Sequence, residues 1–265
     1  MGLTAAVKRV VKSNGLLSIH AAALRSRHPV VNVLRVRRNR LLARVATRTL
    51  VSYDRLLNAY DLARRTERDG REGAFVECGV WRGGAAALMA LVARDTGRGR
   101  PTHLFDSFEG LPRPTVQDGE DHRTWGTGRT EAGGVPELEP IGLYVAPAED
   151  VSDFLFRQLR LDPDRVRIHK GWFQHTLPDA RREVGPIALL RIDADWYASV
   201  KACLDNLYES VVEGGYVVLD DYGEYPGCRL AFEEFCREAS LSVRLQEIDD
   251  TGVWFQKPAR RAAAV

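Results

Sequence analysis

Residues 187–222 read IALLRIDADWYASVKACLDNLYESVVEGGYVVLDDY. The apolar run Ile187-Ala-Leu-Leu-Arg-Ile192 has the composition of a buried strand and ends at Asp193. Helix-forming sequence follows to about Glu213, where Gly214-Gly215 is expected to break it. A second apolar run, Tyr216-Val-Val-Leu219, ends at Asp220-Asp221. Two parallel strands joined by a crossover helix place their C-terminal ends side by side. In open α/β sheets that edge holds the ligand. Asp193, Asp220 and Asp221 are therefore expected to converge. A single aspartate there would be an ordinary cap, but three in one cleft repel one another unless a cation or a proton intervenes. An all-oxygen donor set suits a hard ion such as Mg2+.

Outward from this unit, the chain alternates strand and helix. Strands are expected at 74–80, 102–106, 166–169 and 187–192, with helices at 84–94, from 147 to 161, at 177–183 and at 228–239. Asp249-Asp250-Thr251-Gly252 then reads as the turn of an antiparallel hairpin between strands at 242–248 and 252–256. This pattern predicts an α/β fold with a Rossmann-like, doubly wound sheet and an antiparallel terminal hairpin. Residues 1–70 read as a basic, helical N-terminal extension, 71–258 as the main domain and 259–265 as a disordered tail. Ser52 is placed to N-cap a helix over 53–68.

Charge is unevenly distributed. The 265 residues hold 38 Lys/Arg and 36 Asp/Glu, but the first fifty hold eleven basic residues and no acid, which leaves 27 basic against 36 acidic. A basic arm on an acidic body suggests a homo-oligomer contact, a membrane surface or nucleic acid. The arginine-rich basic set reads as the mark of a GC-rich bacterial coding sequence. Cys78, Cys203, Cys228 and Cys236 form no C-x-x-C pair, so reduced thiols in a cytoplasmic protein are expected. No apolar run reaches the length of a membrane span, and the start carries no signal-peptide pattern.

The first strand of the main domain closes in Glu77-Cys-Gly-Val-Trp-Arg-Gly-Gly84, and Asp106 ends the second strand. Glycines between a first strand and its helix let backbone N–H groups approach a ligand. An acid at the end of the next strand suits ribose hydroxyls. The turn is not G-x-G-x-x-G, and Glu77 would repel a pyrophosphate. A carboxylate there suits the ammonium and sulfonium of S-adenosylmethionine and disfavours NAD.

The phrases FVECGVWRGG, LFDSFEGLP, KGWFQHTLP, LLRIDADWYASV, LYESVVEGGYVVLDDYGEYPGCRLAFEEF and TGVWFQK occur in this order. Together they resemble the TylF/MycF/NovP family of macrocin-type O-methyltransferases, over residues 52–257. The resemblance implies a class I S-adenosylmethionine-dependent methyltransferase with Mg2+, acting on a hydroxyl of a sugar or other diol in a natural product or glycoconjugate. It places Glu77, Gly79 and Gly83 at the methionine part of the cofactor, Asp106 and Ser107 at the ribose, and Trp172 by the adenine. Asp193, Asp220 and Asp221 would hold the metal. Asp193 is the expected proton acceptor, with the loop residue His122 a second candidate, and Asp195 is expected to cap the helix at Trp196. Residues 123–141 depart from the family pattern and put the acceptor in question. A non-catalytic binding protein on the same fold is the alternative, against which the intact acidic residues stand. Nucleic acid is not expected as a partner, because the basic charge is confined to the extension. Peripheral membrane contact through residues 1–50 is a further expectation.

Overall fold

The computed structural model describes residues 15–26, 32, 34–119 and 138–259. His122, most of the tail 259–265 and most of 123–141 lie outside them. Helices α1 (Gly15–Arg25), α2 (Val36–Val45) and α3 (Tyr53–Arg68) precede strand β1 (Ala74–Cys78). Then follow α4 (Gly84–Thr96), β2 (Thr102–Asp106), α5 (Ala148–Ser152), β3 (Val166–Lys170), α6 (Phe173–Val184) and β4 (Ile187–Ile192). The chain continues through α7 (Tyr197–Leu207), β5 (Val211–Leu219), α8 (Pro226–Glu238), β6 (Gln246–Glu247) and β7 (Val253–Gln256). Helix α5 runs on into a wider π turn over Asp153–Gln158.

The seven strands form one sheet in the order β3-β2-β1-β4-β5-β7-β6. The first five are parallel, and β7 is antiparallel to both β5 and β6. This is the doubly wound sheet with an antiparallel edge that the apolar runs predict. Successive crossovers run outward from β1 to β2 and β3, then return to β4 on the other side of β1. The order of winding reverses between β1 and β4, where such sheets open a crevice.

Side-chain alternation sends Val76, Cys78, Leu190 and Ile192 into a core shared with α6, α7 and α8. Phe75 and Leu189 point the other way, against Leu62 and Ala63 of α3 and Met89 of α4. Helix α4, GAAALMALVARDT, is buried from Gly84 to Ala93. A helix apolar all round must be covered on every side. The sheet covers one side. Ile19, Ala23, Leu42, Val45 and Ala46 of the N-terminal helices join the cluster that closes the other. The extension and the sheet domain thus share a core.

Local departures from the expected elements have identifiable causes. Helix α7 ends at Leu207 and β5 begins at Val211, so Gly214-Gly215 lies inside a strand and does not separate a helix from one. Val211 pairs with Ile187, and the register shifts before Leu189 pairs with Tyr216. Gly214 has φ +71° at this irregularity, and a Cβ on Gly215 would meet Val212 O at 2.8 Å. The glycines therefore serve a bulge. Helix α6 starts earlier than expected, at Phe173, and carries Pro178 within it. Residues 241–245 leave the sheet; Leu241, Val243 and Leu245 pack on the core instead, which shortens β6. No described helix is long and apolar enough to cross a membrane.

Candidate active site

The C-terminal ends of β1, β2, β4 and β5 border a cavity of about 390 Å3, within the range of small-molecule sites. Glu77, Gly79, Asp106, Ser107, Trp172, Asp193, Asp220 and Asp221 all line it. Gly83 does not. It stands at the N-cap of α4 with φ +80°, and a Cβ there would lie 3.0 Å from Val151. Gly79 has a steric reason for its identity: a Cβ would fall 1.7 Å from the Asp193 carbonyl oxygen. The turn after β1 is thereby pressed against the end of β4.

Asp106 shapes that turn. Its Oδ2 accepts from the backbone N–H of Val80 at 2.7 Å and of Trp81 at 2.9 Å, and Oδ1 accepts from Phe108 N at 2.7 Å. Burial still pushes its carboxyl above the usual range, against those three donors. Ser107 Oγ donates to Gly110 O at 3.0 Å and accepts from Glu109 N at 3.1 Å. These two residues, expected at a ribose, also shape the loops on that side of the cavity. The loop after β2 is anchored further on by buried Asp118. Its Oδ1 accepts from Tyr197 N at 2.6 Å and its Oδ2 from Thr115 N at 2.6 Å. Asp118 therefore takes the first backbone N–H of α7, beside Asp195, which has φ +54°.

Asp193, Asp220 and Asp221 offer oxygens within 4.8 Å of one another. Two arginines reach the same group. Arg191 is the register partner of Glu77; its Nη1 donates to Glu77 Oε1 at 2.5 Å and to Asp193 Oδ2 at 2.9 Å, and its Nη2 bonds Asp220. Arg55 of α3 bonds the other oxygen of Asp220, and its Nε donates to Asp249 Oδ2 at 2.9 Å. Ser52, the N-cap of α3, also donates to Asp249, at 2.7 Å. The terminal turn and the N-terminal helix are thus locked together beside the site.

A family model described as "Macrocin-O-methyltransferase (TylF)" matches residues 20–257. The chain belongs to that family. It is 36% identical over 211 residues to the demethyldecarbamoylnovobiocin O-methyltransferase of Streptomyces niveus, covering 79% of this chain and 75% of that one. It is 34% identical over 218 residues to the 8-demethyl-8-(2,3-dimethoxy-alpha-L-rhamnosyl)-tetracenomycin-C 4'-O-methyltransferase of Streptomyces olivaceus, covering 82% and 78%. The solved structure of the O-methyltransferase NovP superposes with a TM-score of 0.68 at 32% identity, covering 80% of this chain and 83% of that one. The chain is an enzyme, an O-methyltransferase with the fold of the S-adenosylmethionine-dependent class.

In this macrocin-type O-methyltransferase the cavity is strongly acidic. Among the described residues, nine that line it are Asp or Glu, against one arginine, Arg55. Each carboxylate pair about 4 Å apart repels by roughly 4 kcal/mol at an effective dielectric constant near 20. The protonation equilibria register this strain. Burial, followed by repulsion from Asp220, pushes the Asp193 carboxyl up to about 6 despite Arg191 and Arg55. Burial and then Asp195, Asp193 and Asp220 push Asp221 well above its usual range. Burial pushes Glu77 up to about 7 even though Arg191 opposes it. Among the described residues, no donor reaches the buried Glu77 Oε2. An oxygen-only carboxylate cluster with excess negative charge fits a hard divalent cation. An unpaired buried carboxylate oxygen fits an ammonium donor.

Arg55, Arg191 and Asp249 were not singled out from the sequence. Arg191 left a trace there, as one charge inside the apolar run IALLRI. Arg55 left none, because it stands among the many arginines of the extension.

Proposed function

We propose that the chain is a Mg2+-dependent O-methyltransferase that uses S-adenosylmethionine to methylate one hydroxyl of a vicinal diol on a sugar of a natural product or glycoconjugate. The convergence of Asp193, Asp220 and Asp221 in the cavity that Glu77 also lines carries this reading. When bound, S-adenosylmethionine supplies an electrophilic methyl group and Mg2+ polarises the acceptor hydroxyl. Asp193, Asp220 and Asp221 would hold the metal. Glu77 and Gly79 belong to the methionine end of the donor site, with Glu77 Oε2 receiving the amino group, while Gly83, outside the cavity lining, sets the start of α4. Asp106 and Ser107 face the ribose, and Trp172 the adenine.

Asp193, its side chain 26% exposed, would accept the acceptor hydroxyl's proton at its carboxylate as the S–CH3 bond of the donor gives way to the O–CH3 bond, leaving a neutral thioether. His122 is the second candidate for that task. Arg191 and Arg55 hold Asp220 so that the acids keep their positions. Apolar lining by Leu111, Pro112 and Phe173 limits water around the reacting atoms. So acidic a cavity favours a neutral acceptor over a nucleoside diphosphate sugar, whose pyrophosphate it would repel.

Residues 71–258 form the catalytic unit in this reading, with Arg55 reaching in from the extension, 1–70. Leu24 and Leu34 of the extension, 63% and 74% exposed, suit contact with a second copy of the chain. Four free cysteines are in keeping with a cytoplasmic location.

A panel of glycosylated natural products and nucleoside diphosphate sugars, each with a free vicinal diol, tests the function using donor carrying a labelled methyl group. Label should enter a neutral glycoside, only with Mg2+ present, and S-adenosylhomocysteine should bind by calorimetry where NAD does not. Full turnover in excess chelator would remove the metal from the proposal. Labelling confined to the nucleotide sugars would overturn the choice of acceptor.

A further inference from the structure

A second cluster of ligating side chains lies outside the cavity, on the sheet beneath α6. His103 of β2 pairs in register with Arg167 of β3, and Phe105 pairs with His169. Residues two apart on a strand share a face, so both histidines stand on one side of the sheet. His103 Nδ1 lies 3.0 Å from His169 Nε2. Glu183, in the last turn of α6, approaches from the covering layer. The three side chains offer ligand atoms that all lie within 4.8 Å of one another. Burial is graded across the group: His103 is 2% exposed, His169 is half-buried, and the Glu183 side chain is 46% exposed.

We propose that His103, His169 and Glu183 form a binding site for a borderline divalent cation of the zinc type, separate from the aspartate cluster of the cavity. Two imidazoles and a carboxylate are donors that zinc accepts, at about 2.0–2.2 Å. Two nitrogens on a tetrahedral zinc stand about 3.3 Å apart, so the spacing already present differs from the bound one by a few tenths of an ångström. Turning the two rings brings both lone pairs onto a common point. Glu183 now pairs with Arg167 at 2.8 Å on the surface, and its flexible stem lets the carboxylate turn inward. The exposed side gives the ion a path in and leaves a coordination position for water. Nitrogen donors distinguish this site from the all-oxygen aspartate cluster, which suits harder ions. A bound ion would tie α6 to β2 and β3, adding to the strand ladder and to the stacking of Phe105 on His169 already there.

The test uses full-length, chelator-treated protein carrying Asp193→Asn and Asp221→Asn, which removes cation binding in the cavity. Calorimetry with ZnCl2 should show one bound ion per chain, and the melting temperature should rise by several degrees at saturation. CoCl2 should give the visible absorption of a tetrahedral site, whereas MgCl2 should bind there not at all. Adding Glu183→Gln, an exposed change that leaves the fold intact, should weaken zinc binding at least about tenfold. His169→Gln should abolish it; should that variant not fold, the Glu183→Gln comparison decides alone. The absence of zinc binding up to about a hundred micromolar, well above structural-site affinities, would overturn the proposal. So would affinity unchanged by Glu183→Gln.

Discussion

Arg191 sits 1% exposed among Glu77, Asp193 and Asp220. Burial alone would lower its pKa, yet Asp220, Asp193 and Glu77 keep the guanidinium charged. Removing one partner of such a network leaves uncompensated buried charge. Arg191→Met should therefore destabilise the protein by about 3–5 kcal/mol in urea unfolding. Asp221→Ala should behave differently. It relieves repulsion, so stability should hold or rise, while methyl transfer should fall about a hundredfold or more through loss of the metal's contribution. S-adenosylhomocysteine affinity, measured by calorimetry, should change little. Glu77, pushed up to about 7, is part protonated in the free enzyme at neutral pH. An ammonium on its carboxylate favours the charged form. S-adenosylhomocysteine binding at pH 7 should therefore release protons, seen as a binding enthalpy that varies with the ionisation enthalpy of the buffer. Glu77→Gln should abolish that dependence.

Helix α4 decides how the N-terminal extension joins the domain. A Cβ on Gly84 would meet Arg48 O at 2.6 Å and Thr49 Cβ at 2.7 Å, so the helix can start there only with glycine. The segment crossing it belongs to the same packing unit as Leu42, Val45 and Ala46. Leu42 is fully buried, and Leu42→Ala should cost about 2–4 kcal/mol by thermal or urea unfolding, although Leu42 does not line the cavity. The all-round apolar character of α4 could be read in GAAALMALVA. The element that covers it could not, because α2, VRRNRLLARV, interleaves its apolar residues with four arginines and nothing local names the partner of its apolar face. The β5 bulge escaped for a related reason. A glycine pair serves equally as a helix stop or a strand irregularity, and pairing of Val211 with Ile187 decides between them.

Across the whole molecule, acid sensitivity should be traceable to the histidine pair. Burial, then the charge of His169, lowers His103 to about 4; Glu183 opposes this and Arg167 adds to it. In the unfolded chain a histidine titrates near 6.5. The folded state therefore binds fewer protons between these values. Stability from this group is complete above about pH 6.5 and is lost progressively as pH falls to about 4, by up to roughly 3 kcal/mol. Glu77 acts in the opposite sense, since its raised pKa favours the folded state as pH falls below about 7. The two are separated by comparing urea midpoints of wild type and His103→Gln from pH 7 to pH 4.5 in chelator. The variant should lose part of the acid-side slope. Assembly is tested at the same scale. If exposed Leu24 and Leu34 meet a second copy, Leu34→Glu should shift the protein toward monomer in sedimentation. A wild-type monomer that instead co-sediments with anionic vesicles at low salt would point to a membrane surface.

The doubly wound α/β class, the terminal hairpin and the three converging aspartates were readable from the chain because each depends on local pattern. An apolar run closed by an acid marks a strand's C-terminal end, and parallel crossovers bring those ends to one edge. Family phrases spread over most of the length supplied the chemistry expected there. Pairing across distance was not readable. Arg55 and Asp220 lie 165 residues apart, and Ser52 and Asp249 lie 197 apart. No local pattern records which of 33 arginines reaches an aspartate. His103 and His169, 66 residues apart, likewise look unrelated until β2 and β3 pair in register. Side chains of opposite charge or shared ligand chemistry meet only once the sheet has set their neighbours, because their attraction is short-ranged in water and specifies no partner in advance.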